Sequence, residues 1–201
     1  MTRRQFLEAG VAMGSGLAFA GAVTLFPYAP ALLPPRALPA PELLARCLRC
    51  GACVQACMTR ALAQRDLSLD VRSVGIPYLQ ARRGGCTAWS EGCRKCAEAC
   101  PSGALDPAAS LVGVKLGTAR FDPQKCTNCM VCLRRCPIEK AVFFPNPAGG
   151  PPWYKGQEGN IPSGLNTVMS PIKPVIDENL CVGCGLCAAH CIPKIIRLHA
   201  V

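Results

Sequence analysis

The sequence of 201 residues has few of the side chains that usually fill a protein core or build a catalytic site. Aromatic residues make up only 5% of it, and histidine occurs twice, as His190 and His199. We find no nucleophile paired with a general base and no glycine-rich loop for a phosphate group. The sequence therefore argues against covalent catalysis and nucleotide binding. Because large side chains are scarce, some other component must help to fill the interior.

Cysteine is the residue that the chain has in excess: sixteen residues fall into four groups of four. Three groups share the spacing C-x2-C-x2-C-x3-C, whereas the second opens with a gap of six residues. The sixteen are Cys47, Cys50, Cys53, Cys57, Cys86, Cys93, Cys96, Cys100, Cys126, Cys129, Cys132, Cys136, Cys181, Cys184, Cys187 and Cys191. Bacterial ferredoxins bind 4Fe–4S clusters with this spacing. The sequence thus predicts four 4Fe–4S clusters, with all sixteen cysteines as iron ligands.

The spacing has a direct physical reason. Two-residue gaps let three thiolates of one loop converge on one cluster, and in ferredoxins with two clusters the fourth cysteine ligates the neighbouring cluster. Motifs of this kind therefore work in pairs. Because metal binding contributes to the free energy of folding, we expect the chain to be largely unfolded without iron.

Disulfide bonds and structural zinc are the two other uses for so many cysteines. A disulfide framework does not repeat one four-cysteine spacing, and cysteines separated by two residues bond poorly. Zinc prefers two well-separated C-x2-C halves, so a triple C-x2-C-x2-C would leave one ligand unused. We therefore favour iron–sulfur clusters over both.

Two local features sort the motifs into pairs. The first and fourth motifs carry a glycine after the second cysteine, Gly51 and Gly185, and lack a proline directly after the last cysteine. The second and third have Pro101 and Pro137 there and no such glycine. These features predict a nested pairing, first with fourth and second with third, although pairing of first with second stays open. The nested clusters would be held by Cys47, Cys50, Cys53 with Cys191; Cys181, Cys184, Cys187 with Cys57; Cys86, Cys93, Cys96 with Cys136; and Cys126, Cys129, Cys132 with Cys100.

The second motif departs from the others because six residues separate Cys86 from Cys93. Either Cys86 is a ligand on a longer loop, or the cluster of this motif is incomplete. An unligated thiol beside a cluster would be prone to oxidation, so we favour the longer loop.

The N-terminus carries a signal that concerns the compartment. Residues 2–7 read TRRQFL and resemble a twin-arginine export signal, the route of proteins that take up cofactors before export. An apolar stretch of 18 residues, 9–26, follows. Residues 1–26 are either a signal that is cleaved, with Ala29-Pro30-Ala31 as a suitable site, or a helix that stays as a membrane anchor. The protein is thus expected in the periplasm or on the periplasmic face of the cytoplasmic membrane, with membrane association.

The remaining chain divides into a Pro-rich linker over residues 27–45 and a cluster-bearing body over residues 46–201. The four motifs occupy residues 47–57, 86–100, 126–136 and 181–191. We expect an α+β fold of two ferredoxin-like dicluster modules, with little regular secondary structure and an N-terminal hydrophobic helix.

The third and fourth motifs are preceded by similar segments. Strand-like runs cover residues 119–121 and 174–176, and an aspartate follows each run, Asp122 and Asp177. A repeated strand–loop–helix unit of this kind is typical of a ferredoxin-like module.

An insert of Gly, Pro and polar residues covers residues 145–172 and contains Trp153 and Tyr154. Exposed aromatic side chains would favour an interface with a partner protein. Alternatively, they shield a cluster from water, which also tunes its potential. We favour the shielding interpretation.

The formal net charge of the chain is +10, and much of it lies beside the cysteines. Four oxidised clusters of about −2 each would offset most of this excess. No helix or aromatic platform supports binding of a nucleic acid, so none is expected as a partner. We interpret the two histidines as solvated side chains rather than as proton-coupled groups.

Beyond the cysteine motifs, the chain resembles the NapG/MauM family of ferredoxin-type proteins. The resemblance rests on the twin-arginine start, the Pro-rich segment and the four motifs in order. It also rests on the segments CLRCGACVQAC (residues 47–57), GIPYLQAR (75–82), CPSGALD (100–106) and CVGCGLC (181–187). The spacing of the second motif departs from the family pattern. The resemblance covers nearly the whole chain.

The resemblance implies an electron carrier outside the cytoplasmic membrane and not an enzyme with a small-molecule substrate. One branch of the family implies a membrane-embedded quinol-oxidising ferredoxin-type protein as donor and a periplasmic enzyme such as nitrate reductase as acceptor. The other branch implies a role in maturation of methylamine dehydrogenase. Two further alternatives stay open: the iron–sulfur subunit of a molybdenum or tungsten oxidoreductase, and clusters with a structural role only.

Overall fold

The computed structural model describes residues 32–67 and 73–200. The twin-arginine sequence and the hydrophobic stretch predicted as a signal or anchor, residues 1–26, lie outside the described residues. No helix in residues 32–67 or 73–200 is long and apolar enough to cross a membrane.

Regular secondary structure is short throughout the described residues. The helices are α1 (Ala40–Arg46), α2 (Ala52–Gln55), α3 (Ala88–Glu91), α4 (Lys95–Glu98), α5 (Val131–Arg135) and α6 (Leu186–His190). The strands are β1 (Leu62–Gln64), β2 (Pro77–Leu79), β3 (Gly117–Arg120), β4 (Val142–Phe143), β5 (Val175–Ile176) and β6 (Arg197–Ala200). Turns of 3-10 helix cover Pro123–Lys125 and Glu158–Asn160. Each motif supplies one short helix (α2, α4, α5 or α6) that begins between its second and third cysteines.

The first two motifs form one module, residues 32–106. Strand β1 follows the first motif and pairs antiparallel with β2, which precedes the second, so that Leu62 lies opposite Leu79. The segments outside the two motifs also meet, because Ala37 forms a β-bridge with Leu105. The two motifs therefore face each other between two pairs of antiparallel segments.

The last two motifs repeat this arrangement in a second module, residues 117–200. Strand β4 follows the third motif and pairs antiparallel with β5, which precedes the fourth, with Val142 opposite Ile176. Strand β3 precedes the third motif and pairs antiparallel with β6, which follows the fourth, with Ala119 opposite Leu198. The small α+β fold with two dicluster modules is thus what the sequence predicted.

The core of each module is small and built around the motifs. In the first module Leu43, Ile76 and Leu105 are almost fully buried and belong to one group of packed apolar side chains. Five partly buried cysteines pack against this group. The second module has two apolar clusters, one containing Cys187 and Cys191 and one containing Leu133 and Phe144. Because cysteines lie in or against each of these groups of apolar side chains, metal centres bound there would complete the core of each module.

The predicted Pro-rich linker over residues 27–45 is wrong from residue 32 onward. The Leu79 N–H donates a hydrogen bond to the Leu32 carbonyl at 2.6 Å, and Pro34 is fully buried. Pro41 then lies at the start of α1, where its fixed φ suits a helix, and Leu43 of that helix is only 1% exposed. The apolar side chains between the prolines hold this segment on the first module.

The strand-like runs before the third and fourth motifs are confirmed as β3 and β5. The Asp122 carboxylate accepts a hydrogen bond from the Gln124 N–H at 3.0 Å, and the Asp177 carboxylate accepts one from the Asn179 N–H at 2.8 Å. Each aspartate therefore turns the chain from its strand into the loop of cysteines.

Candidate metal centres

The sixteen thiols gather into four sets, and none of them is in a disulfide bond. Site I comprises Cys47, Cys50, Cys53 and Cys100; site II comprises Cys57, Cys86, Cys93 and Cys96. Site III comprises Cys126, Cys129, Cys132 and Cys191; site IV comprises Cys136, Cys181, Cys184 and Cys187. Each site takes three cysteines from one motif and the last cysteine of its partner motif.

Three of the sites surround a visible cavity. The four cysteines of site I line one narrow cavity, those of site III line a second and those of site II line a third. In site IV the Cys184 thiol interacts electrostatically with those of Cys136 and Cys181. Within the described residues no three Cys, His, Asp or Glu side chains converge as around a single metal ion. Four sulfurs around a cavity suit a polynuclear cluster better than one zinc ion.

The nested pairing of motifs is wrong. The Cys53 thiol interacts with Cys96 and Cys100 of the second motif, not with the fourth motif. The Cys132 thiol likewise interacts with Cys191. The first motif pairs with the second and the third with the fourth, because β1–β2 and β4–β5 join motifs that are neighbours in sequence.

The glycines on which the nested pairing depended have a local function instead. Gly51 and Gly185 have left-handed backbones with φ of 76° and 79°, and they precede α2 and α6. Met130 occupies the same position in the third motif and is also left-handed, with φ 54°. The loop requires this conformation in all three regular motifs, so glycine at the position carries no information about pairing.

The long gap of the second motif is accommodated by α3. This helical turn spans Ala88–Glu91 and ends at Gly92, whose φ is 64°. Cys86 thereby reaches the cavity that Cys57, Cys93 and Cys96 also line. Its thiol interacts electrostatically with those of Cys96 and Cys57. The longer-loop interpretation of Cys86 therefore agrees with the structure.

Eight of the sixteen thiols are hard to ionise without a metal, because their pKa is raised. Burial, reinforced by neighbouring thiols, raises the pKa of Cys53 and Cys184 to about 11 and that of Cys132 to about 12. Burial also raises the pKa of Cys86 to about 12. Packing four thiolates around one cavity is unfavourable unless cations lie between them. Bound iron supplies that positive charge, so this donor set fits a cluster.

Two hydroxyl groups contact cysteine sulfurs in the first module, and the sequence analysis missed both. The Thr59 hydroxyl lies 3.6 Å from Sγ of Cys57, and the Ser102 hydroxyl lies 3.6 Å from Sγ of Cys100. Burial raises the pKa of Cys100, but hydrogen bonds from Ser102 and from backbone N–H groups outweigh it and leave the pKa lowered. The sequence signal is a hydroxyl residue two positions after the last cysteine of the motif. The second module has Ile138 and Pro193 at the equivalent positions.

The insert over residues 145–172 packs against the third motif. The Trp153 ring lies 6.1 Å from that of Phe144, in an apolar cluster that Cys132 and Cys136 also contact. The shielding interpretation of Trp153 agrees with this packing. Buried Asn128 fastens the insert, since its side-chain amide donates to the carbonyls of Leu165, Thr167 and Ile172 at 3.2, 3.0 and 2.9 Å.

The sites differ in their access to water. Cys50 of site I is exposed, and the adjacent Leu48 is 67% exposed. In site IV, by contrast, Cys184 and Cys187 are both buried. Site I is therefore the open end of the first module, and site IV lies deepest.

The two modules meet between sites II and IV. The Cys86 N–H donates a hydrogen bond to the Cys184 carbonyl at 2.8 Å. A Cβ on Gly85 would lie only 2.5 Å from Cα of Leu186, so the backbones touch at a position where only glycine fits. Within the modules, Cys53 of site I interacts with Cys96 of site II, and Cys187 of site IV interacts with Cys132 of site III. These contacts connect the sites in the order I, II, IV, III.

Comparison with known proteins agrees with the four sites. Residues 46–104 and 86–140 match the family described as 4Fe-4S dicluster domain, and residues 174–197 match the 4Fe-4S binding domain. The chain is 32% identical to the methylamine utilization ferredoxin-type protein MauM of Methylorubrum extorquens, over 95% of this chain and 84% of the relative. It is also 32% identical to the ferredoxin-type protein NapG of Escherichia coli, over 94% of this chain and 81% of the relative.

The chain belongs to the NapG/MauM family of ferredoxin-type proteins. A further MauM, from Methylophilus methylotrophus, is 34% identical over 80% of this chain and 66% of its own length. A member of this family is an iron–sulfur electron-transfer protein that binds 4Fe–4S clusters, and the sixteen cysteines here lie in the positions that ligands of four such clusters would occupy. The ferredoxin-type relatives agree with an electron carrier rather than an enzyme.

Proposed function

We propose that this chain relays electrons on the periplasmic side of the membrane, from a quinol-oxidising membrane protein to a periplasmic reductase such as nitrate reductase. The observation that carries the relay is the unbroken series of sites I, II, IV and III, joined across the modules by the Cys86–Cys184 contact. When bound, a 4Fe–4S cluster takes up and releases one electron at a time. The chain arranges the four sites in a series and shields the deeper ones from water.

The direction of the relay follows from the different surroundings of the sites in the two modules. A reduced site carries one more negative charge, and this charge is stabilised by hydrogen-bond donors and by water. The hydroxyls of Thr59 and Ser102 face sites II and I, and exposed Cys50 admits water to site I. Site IV has buried cysteines. We therefore expect higher potentials in the first module, so that electrons run from sites III and IV to sites II and I.

The proposed compartment rests on the twin-arginine sequence at Arg3 and Arg4 and on the apolar stretch that follows. The proposed nitrate-reductase branch draws on the similarity to NapG over most of both chains. A second candidate role is maturation of methylamine dehydrogenase, which the similarity to MauM proteins favours. In the native host, a deletion strain would separate the two: loss of nitrate respiration supports the first role, and loss of growth on methylamine supports the second.

The first test is a redox titration of anaerobically purified holoprotein, followed by electron paramagnetic resonance, with iron measured on the same sample. We expect four reducible clusters, the two of the first module being reduced at the higher potentials. Clusters that stay silent over the accessible range would show a structural role and overturn the relay.

A further inference from the structure

A basic cleft lies where the two modules meet. It is lined by Arg83, Arg134, Arg135 and Lys155, together with His190, and it has a volume of about 530 Å³. Glu91 is the single carboxylate along its walls in the described residues. Gly85 and Leu186 also line it, and these residues adjoin Cys86 of site II and Cys187 of site IV. A group bound in the cleft would therefore lie beside the contact that joins the modules.

Two of the four cations stabilise the protein itself. Arg134 donates from Nη2 to the Cys129 carbonyl at 2.9 Å, and Lys155 donates from Nζ to the Cys136 carbonyl at 3.1 Å. These bonds hold the loops of sites III and IV. Each ammonium or guanidinium group still has further N–H groups that can serve a ligand.

The other two cations have no such role. Among the described residues, Arg83 and Arg135 form neither a hydrogen bond nor an ion pair through their side chains, whereas the ion pairs that do form involve other arginines and lysines. Two long cationic side chains are thus held at one cleft without a carboxylate partner. Such an arrangement favours an anionic ligand from outside.

The sequence outside the described residues is not rich in acidic side chains. Residues 1–31 contain two arginines and a single acidic residue, Glu8, and residues 68–72 contain Asp70 beside Arg72. The cleft is also concave and large enough for several side chains. A flat lipid surface does not reach its walls, and one inorganic anion does not fill it.

We propose that the cleft between the modules is a docking site for an acidic segment of a redox partner protein. Complementary charge speeds the encounter of two proteins and fixes their orientation. The partner would be held beside sites II and IV, at the middle of the series of sites. The inference rests on the proposed electron-transfer role only for the nature of the partner, because binding of an acidic segment is measurable without electron transfer.

The test uses holoprotein and a fluorescein-labelled octaglutamate peptide, with octaglutamine as the neutral control. Binding is followed by fluorescence anisotropy at low and at physiological ionic strength, about 0.15 M. The variant R83Q/R135Q removes the two cations whose side chains form no hydrogen bond or ion pair among the described residues. The matched control R46Q/R197Q removes the same charge from two exposed residues outside the cleft. Iron content and visible absorbance confirm that each variant is loaded.

We expect R83Q/R135Q to weaken octaglutamate binding at least about tenfold more than R46Q/R197Q does. Equal weakening by both variants would show diffuse attraction to a basic protein and overturn the site. If R83Q/R135Q weakens binding to phosphatidylglycerol vesicles as strongly as it weakens binding to octaglutamate, the cleft binds lipid headgroups instead and the proposal is overturned. Anisotropy that is unchanged by inorganic phosphate at equal ionic strength supports a peptide-sized ligand, and full competition by phosphate contradicts it.

A second measurement needs no variant. Carbodiimide coupling joins a carboxylate to a lysine that it contacts, and Lys155 is the lysine that lines the cleft. We expect octaglutamate to couple to Lys155 of the unmodified protein in preference to exposed Lys115 and Lys140. Coupling that is spread evenly over these three lysines would contradict the docking site, whatever the electron-transfer measurements show.

Discussion

The backbone N–H of Cys86 donates a hydrogen bond to the carbonyl of Cys184 at 2.8 Å. One residue belongs to site II in the first module, and the other belongs to site IV in the second. This single bond lies at the place where two dicluster modules become one series of four sites. It also explains the position of Gly85, because a side chain there would meet the backbone of Leu186.

Cys86 completes site II from a longer loop, so its loss should damage that site alone. In Cys86→Ala we expect iron to fall by about one to four atoms per chain, with a 3Fe–4S signal if the rest of the cluster survives. Iron analysis and electron paramagnetic resonance measure this outcome. Ala at nearby Thr87, which is not a ligand, serves as the control. Unchanged iron in Cys86→Ala would mean that site II is incomplete in the native protein.

Sequential pairing predicts that the first module contains every ligand of its own two sites. A chain that ends after residue 113 should therefore bind about eight irons as 4Fe–4S clusters, measured by iron, sulfide and visible absorbance. A chain that ends after residue 92 loses Cys93, Cys96 and Cys100 and serves as the control, since it completes no site. Absence of complete clusters from the longer fragment, under anaerobic conditions that load the full chain, would favour ligands from the other half of the chain.

The hydroxyl groups beside Cys57 and Cys100 should raise the potentials of sites II and I. In Ser102→Ala we expect the potential of site I to fall, and in Thr59→Val that of site II. Loss of one hydrogen bond of about 1 kcal/mol corresponds to about 40 mV for a one-electron couple. A redox titration of each loaded variant measures the shift, with exposed Ser163→Ala as control. A potential that does not move, or moves upward, would contradict the proposed direction of the relay.

Asn128 connects the third motif to the insert through three backbone carbonyls. Asn128→Gly keeps the left-handed backbone, whose φ is 55°, but removes the amide that donates to the carbonyls of Leu165, Thr167 and Ile172. We expect a loss of about 2 kcal/mol in the stability of this region. Faster proteolysis within residues 163–171 and faster loss of cluster absorbance in air would report it. The matched change Asn166→Gly, at an exposed residue of the insert, should have a much smaller effect.

The glycine argument shows why one part of the site was mispredicted. Gly51 and Gly185 have left-handed backbones because of the short loop between two cysteines, and Met130 adopts the same conformation at a steric cost. A requirement of the local backbone was therefore interpreted as a sign of which motifs associate. The linker prediction failed for a related reason. Prolines at positions 34 and 35 indicate an extended chain, but they do not show that Leu43 lies in the core.

The sequence by itself determined the chemistry of this protein: the four cysteine motifs and the 4Fe–4S clusters that they indicate. It could do so because three of the four ligands of a site lie within one short loop, so that spacing alone fixes their geometry. Only the tertiary structure decided which motifs pair, how deeply each site lies and in which order the sites follow. Those properties depend on the fourth cysteine, on the antiparallel pairing of β1 with β2 and β4 with β5, and on the contact of Cys86 with Cys184. Each of these joins residues that are distant in sequence, where no local spacing constrains them.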